Sequence, residues 1–304
     1  MSDVMPSNLP TPFSFKDMMA DISGRQPSPA VDFDPPTLTS LQVPLANATV
    51  GVLVSCGVHT AEDAAFASTN DLTYRLVSRD IELDELVLGH QAAIRKYALQ
   101  DLNCAYPRDR LLELEAEGLF AKLAPHAVSL VGAISDQERL MQETVPQIYE
   151  EFRKQGVDLV LLLPFCPACH TTVPLIARAL EKRGLSTVMT SCLWERVHEY
   201  KAPRTAFLDF PMGCPAGRPG APEQQRRVIT AALSVAVDIR DAWGVQELPI
   251  EWGTSGAGAD DWRSEVRQIY IDDAEGLARR ADSLTESRTT LAGQETAFAI
   301  RCAC

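Results

Sequence analysis

The sequence predicts an α/β protein: a mostly parallel sheet flanked by helices on both faces, preceded by an extended Pro-rich N-terminal arm. Three observations carry this expectation. Short, continuous apolar runs such as "ATVGVLVS" and "VDLVLLLP" read as strands buried on both faces, as in parallel sheets. Amphipathic segments of helical period alternate with them. Eight of the twenty prolines fall before residue 48, which sets that stretch apart from the body.

Residues 1–47 are read as the arm, with one short helical candidate, "SFKDMMADI". Residues 48–245 form the α/β body, and 246–304 a helical extension with a mobile tail. The body opens on a strand through Val50, Val52 and Val54. "DELVLGH" is a second strand candidate, "DRLLELEAEGLFAKL" (109–123) a helix, and "AVSLVGAIS" (127–135) a buried strand. "QERLMQETVPQIYEEFRKQG" reads as a helix that Pro146 kinks or splits and Gly156 closes. "VDLVLLLP" is the clearest strand. Val173, Ile176, Ala177 and Leu180 then fall on one helical face. With Pro174 required in the first turn, that helix is expected to begin at Thr171 or Thr172. "STVMTSC" and "RTAFLDFP" are further strands, and "PEQQRRVITAALSVAVDIRDAW" a long helix with Pro222 in its first turn. The C-terminal part reads as helical around a Gly-rich break, "GTSGAGAD".

In open parallel sheets, ligands bind outside the carboxyl ends of the strands. Four strand candidates are followed by cysteine-bearing loops: "SCGVH", "FCPACH", "SC" at 191–192 and "FPMGCPAGRPG". Cys166-X-X-Cys169, between the clearest strand and a helix, is the focus. A thiol reacts as its thiolate, which a helix N-terminus favours, and a second cysteine three residues on can resolve a mixed bond by forming a disulfide. Two other readings stand beside this one. The cysteines can be buried apolar thiols, or they can hold zinc or another metal with His170 and a distant Cys56, His59 or Cys214. His59 and His170 are candidates for proton transfer. Cys56, Cys214 and Arg218 are candidates for lining the substrate site. Cys104 and Cys192 read as buried, and the Cys302/Cys304 end as a frayed tail or a thiol shuttle.

The net charge of −13 excludes a general nucleic-acid binder. No run reaches the length of a membrane span, and the N-terminal stretch lacks a signal-peptide pattern, so the expected location is the cytoplasm, away from membranes.

Several blocks together resemble one family: "LLLPFCPACHTTVPLIARALEKRGLSTV", the "GVH" after the first strand, "DLNCAYPRDRL", "EGLFAKLAPHAVSLVGAI" and "FLDFPMGCPAGRPGAPEQQR". They are similar, in order and over roughly residues 48–240, to the glycine/sarcosine/betaine reductase selenoprotein B family, which includes a subunit of D-proline reductase. The resemblance implies a thiol-dependent reductase that cleaves a C–N, C–S or C–halogen bond in a small molecule. Cys166 would attack and Cys169 resolve, with no bound cofactor and an external thiol or thioredoxin-like electron donor. It also implies a possible partner subunit. No selenocysteine stands in this chain; the place slightly upstream of the Cys-X-X-Cys, where some members carry it, is Leu163. The rival functions are a metal-binding protein using the Cys/His cluster and a non-catalytic subunit of a reductase complex.

Overall fold

A computed structural model describes residues 13–24, 31–253 and 262–286. The main sheet runs in the order β10-β9-β8-β7-β1-β6-β3. Its members are β1 (Thr49–Val54), β3 (Arg75–Ser78), β6 (His126–Ser129), β7 (Leu159–Leu163), β8 (Ser186–Ser191), β9 (Arg204–Phe207) and β10 (Gly244–Glu247). The short β5 (Lys122–Leu123) also pairs with β1. Every pairing in this sheet is parallel except that of β3 with β6. The segments β2 (Val58–Thr60) and β4 (Leu86–Leu88) form a separate antiparallel ribbon, so "DELVLGH" is a strand outside the main sheet.

The central strands are apolar at every position because both faces are covered. Leu159, Leu161 and Leu163 of β7 enter one core with Val50, Val52 and Val54. Val160 and Leu162 point the other way, with Leu53. The first core is shared with α1 (Phe15–Ser23), α2 (Arg108–Ala116) and α7 (Pro222–Asp238). The second is covered by α4 (Val145–Lys154) and α5 (Cys169–Lys182). Gly51 is the close approach on that side: a Cβ there would sit 2.9 Å from Phe152 and Val157 of the α4 end.

Four sequence expectations are corrected. The helix expected over 109–123 ends at Ala116, because Gly118 adopts φ +80° and the chain turns into β5. The strand expected over 127–135 stops at Ser129. Helix α5 starts at Cys169, not at Thr171 or Thr172, and carries Pro174 in its interior. The packing of Val173, Ile176, Ala177 and Leu180 in the second core holds it helical past the missing N–H. Finally, the long helix expected over 222–243 ends at Asp238, and the chain then enters β10, in a stretch that shows no strand pattern. Pro146 acts as expected: α3 (Gln137–Arg139) and α4 are joined by a π-helical turn over Leu140–Thr144 that absorbs the proline. No described helix is long and apolar enough to cross a membrane.

The described part of the arm is tied to the body. Glu181 and Arg204 are fully buried and paired at 2.5 Å. Thr187 donates from its N–H and hydroxyl to the same carboxylate, at 2.7 and 2.8 Å. Thr39 closes the network, donating its N–H to Glu181 and accepting from Arg204 through its carbonyl at 2.8 Å. Removing one partner strands a buried charge. Glu181→Ala is therefore expected to lower stability by about 3–5 kcal/mol, read as a lower urea midpoint with an unchanged slope.

The remaining helices are α6 (Trp194–Tyr200), α8 (Trp262–Asp272) and α9 (Ala274–Glu286). Helix α1 bridges α6 and α8. Lys16 pairs with Glu199, Asp21 with Arg267 at 2.5 Å, and Phe15 packs edge-on against Tyr270 at 5.1–5.2 Å spacing like that of Phe13 on Trp262. The Gly-rich break at 254–260 and the Cys302/Cys304 end lie outside the described residues.

Candidate active site

The chain leaves β1 toward the β2–β4 ribbon and β3, and leaves β7 in the opposite direction, toward β8. The gap beyond the ends of β1 and β7 is thus a topological switch point, where open α/β sheets place their ligands. The two strands are in register to their last residues, Val54 with Leu163, and Ser55 donates its N–H to the Leu163 carbonyl at 3.2 Å. Phe165 N–H returns a bond to Ser55 Oγ at 2.9 Å, which sets the path into "CPAC".

The sulfurs of Cys166 and Cys169 are 2.9 Å apart. Cys166 closes the turn that leads into α5. Its sulfur accepts the Cys169 N–H at 3.2 Å, and its carbonyl accepts the His170 N–H at 3.1 Å. Pro167 lies in this turn, ahead of the first residue of α5. Cys166 is 3% exposed and lines a cavity; Cys169 is fully buried behind it. Gly132 makes the space for Cys169: a Cβ there would stand 2.9 Å from its sulfur. Gly132→Ala is expected to push that sulfur off its partners and cost about 1–3 kcal/mol. A titration of thiols with a disulfide reagent, alongside a urea melt, checks both effects.

The third member is His90, which sequence reasoning passed over. Its Nε2 lies 3.5 Å from Cys169 Sγ. Ala92 N–H points at Nδ1 at 3.0 Å, so Nδ1 is the acceptor and the ring proton sits on Nε2, aimed at the sulfur. The β2–β4 ribbon places this histidine: Gly89 N–H bonds to Gly57 O at 2.9 Å and His90 N–H to Cys56 O at 3.2 Å. Burial alone would push the Cys169 thiol up. The hydrogen bonds from Cys166 and His90 outweigh burial and hold it well below the ordinary thiol range. Cys56 and Cys192 go the other way, pushed up by burial.

The other sequence candidates are placed as follows. His170 is buried, with Nδ1 donating to Cys166 O at 2.8 Å and Nε2 accepting from Cys192 N–H at 3.3 Å. Burial lowers its pKa to about 4. His59 is buried in the ribbon, bonded through Nδ1 to Gly57 O at 3.0 Å and packed edge-on against Phe66. Cys56 is buried just past β1. Cys214 packs with Cys104, and burial followed by that contact pushes its thiol up. Arg218 lies over the Trp252 ring at 5.7 Å and lines a different cavity from Cys166. All four loops follow carboxyl ends of mutually parallel strands, yet the histidine hydrogen-bonded to a dithiol sulfur is His90 rather than either histidine expected.

His90, Cys166 and Cys169 have their donor atoms within 4.8 Å of one another, the spacing of a metal site. Two features disfavour that use. A ligating Nε2 must offer a lone pair, with the proton on Nδ1 donated to an acceptor, whereas Nδ1 here faces an N–H. Two thiolates on one tetrahedral zinc stand roughly 3.7 Å apart, wider than the 2.9 Å found.

The cavity in front of Cys166 has a volume of about 20 Å³, room for a water. His90, Ala133 and Cys166 form its floor, and Tyr270, Leu277 and Leu284 of α8 and α9 form its roof.

No protein-family model matches the chain, and no solved structure matches it. Among curated proteins, it is 31% identical over 218 residues to the D-proline reductase subunit gamma of Acetoanaerobium sticklandii, covering 72% of this chain and 90% of that subunit. The chain therefore belongs to the proline/glycine reductase-like family of which that subunit is a member.

Proposed function

We propose that this chain is a thiol-dependent reductase that cleaves a C–X bond (C–N, C–S or C–halogen) in a small molecule, using Cys166 and Cys169 as its redox couple. The observation that carries the reading is the 2.9 Å contact between the two sulfurs at a helix start, with the His90 Nε2 proton 3.5 Å behind them. A relative that is a subunit of D-proline reductase supports the reductase class.

The chemistry runs in two displacements. The pair shares one proton across the short S···S contact. Moving it to Cys169 leaves Cys166 as the thiolate, stabilised by the Cys169 N–H. Cys166 Sγ attacks the carbon; an S–C bond forms, C–X breaks, and X leaves with the electron pair and takes up the proton held by Cys169, which becomes the thiolate. Cys169, held as a thiolate by His90, then attacks Cys166 Sγ. The S–S bond forms, S–C breaks, and the carbon takes a proton. The sum is R–X plus the thiol–thiolate pair plus one proton from solvent, giving R–H, HX and one disulfide. An external thiol or a thioredoxin-like donor reduces the disulfide, and no bound cofactor is required. As in the relative, named as a subunit, a partner chain is expected to complete the substrate site. The Cys166 side faces the cavity, which favours it as the sulfur that strikes first.

Trapping tests the reading. With Cys169→Ser, reduced protein incubated with an activated substrate is expected to gain one adduct on Cys166 by intact and peptide mass. An adduct on another cysteine, with Cys166 unmodified, would refute the assignment.

A further inference from the structure

The six cysteines among the described residues are all buried. The chain's other two, Cys302 and Cys304, form a Cys-X-Cys pair in the segment after α9, and the proposed reaction leaves them unused. Two observations connect that segment with the dithiol.

The first is enclosure. Cys166 is 3% exposed, Cys169 is fully buried, and the cavity in front of them has room for a water. Each turnover leaves a disulfide there that must be reduced before the next. A thiol that reduces it has to bring its own sulfur up to the S–S bond. An opening of this size keeps out a folded donor protein far more strictly than a single peptide strand. Ala303 puts only one methyl group between the two thiols, so the pair is thin.

The second is position. The end of α9 is fixed beside the dithiol. Leu284 is buried and lines the same cavity as Cys166. Next to it, Ser283 Oγ lies 2.6 Å from Thr69 Oγ1, and the Ser283 carbonyl accepts from Asn70 Nδ2 at 3.5 Å. Cys302 follows Glu286, the end of α9, by 16 residues. Such a length spans up to about 55 Å when extended, ample to turn back to the cavity where it starts. A thiol tethered in this way acts at a roughly millimolar effective concentration.

Resting on the dithiol reading above, we infer that Cys302 and Cys304 are a second redox pair, which reduces the Cys166–Cys169 disulfide and is itself reduced by the external dithiol donor. Arg301 beside Cys302 favours its thiolate, so Cys302 attacks. It strikes Cys166 Sγ, on the cavity side. The Cys302–Cys166 bond forms, Cys166–Cys169 breaks, and Cys169 leaves as the thiolate that the His90 proton stabilises. Cys304 then attacks Cys302 Sγ. A Cys302–Cys304 bond forms, Cys302–Cys166 breaks, and the Cys304 proton passes to the Cys166–Cys169 pair. One disulfide has moved outward and one thiol–thiolate pair is restored. A thioredoxin-like dithiol reduces the outer disulfide. Closing a disulfide over a single intervening residue strains it, so without a donor the disulfide rests at Cys166–Cys169.

Diamide and thioredoxin test this. The full chain and its Cys302→Ser/Cys304→Ser variant are oxidised with diamide, and the Cys166–Cys169 disulfide is mapped by peptide mass. Thioredoxin, its reductase and NADPH are added, and recovery of the two thiols is followed. The variant is expected to recover at least about tenfold more slowly. Iodoacetamide should label Cys166 of the two reduced chains at rates within about twofold, which reports an intact site. A trap reads the contact itself. In Cys169→Ser/Cys304→Ser, an aromatic disulfide reagent is expected to yield a Cys166–Cys302 link that no neighbouring thiol resolves. Its rate should not change over an about tenfold range of protein concentration, as for an intramolecular step. Equal recovery in both chains, absence of the link, or a link whose rate rises with concentration overturns the inference and leaves the dithiol reading standing. Diamide treatment that leaves Cys166 and Cys169 as free thiols overturns that reading, and the inference with it.

Discussion

Replacing Cys166 by serine is expected to abolish thiol-dependent turnover, by a factor on the order of 10³ or more. A serine hydroxyl is not ionised near neutral pH, and neither Cys169 Sγ nor the shared proton can compensate, because Cys169 is fully buried behind it. The substitution removes one atom type from a position 3% exposed and leaves the Cys169 N–H a hydroxyl to bond, so the fold should be retained. Cys169→Ser differs in kind. It should permit the first displacement and block the second, giving one stoichiometric adduct and no further product. The comparison is made by steady-state assay with excess dithiol, beside a single-turnover measurement. Full activity in both variants contradicts the mechanism.

His90→Ala carries the second large effect. The imidazole lends its Nε2 proton to Cys169 at 3.5 Å, and this bond helps overcome a burial that alone would raise the thiol. Without it, the thiolate loses a charge-assisted hydrogen bond of about 1.5–3 kcal/mol. Thiolate reactivity at neutral pH is then expected to fall about tenfold or more. The sign follows from the direction of the shift. The lowered Cys169 pKa keeps the wild-type pair reactive at pH values below those of an ordinary thiol, and His90→Ala should move the rise in reactivity to higher pH. A pH profile of alkylation in wild type and variant reads this shift. His90→Gln, which restores a donor, should recover part of it. By contrast His170, with both ring nitrogens bonded to backbone groups, is expected to alter stability more than the pH profile when replaced.

What could be read in the sequence follows a physical division. Segments that are apolar because both faces are buried declared themselves: β1, β7, β8 and β9 lie where the runs predict, and their shared direction brings the cysteine loops to one edge. Pro146 and Pro222 act through backbone chemistry that needs no tertiary context, and both did as expected. Pro174 did not. Its local preference against a helix interior was overridden by the packing of α5, an effect that only the assembled core supplies. The edge strand β10, "GVQE", is half exposed and carries no apolar alternation, so only its pairing with β9 identifies it. His90 was hidden for a related reason. Its relation to Cys169, 79 residues away, depends on the β2–β4 ribbon folding back on the β1 loop. The one signal on offer was "LGH" after a strand, the same Gly and His chemistry that drew notice in "CGVH". The roof of the cavity is equally non-local, since α8 and α9 meet Cys166 only in three dimensions.

The central claim is that Cys166 and Cys169 form the redox couple, and one measurement tests it most directly. Fully reduced protein is freed of external thiol and given one equivalent of substrate, together with any partner chain the reaction requires. The remaining thiols are blocked and the protein is mapped by peptide mass without reduction. One Cys166–Cys169 disulfide formed per product released is the predicted result. Product formed while both of these thiols stay free contradicts it.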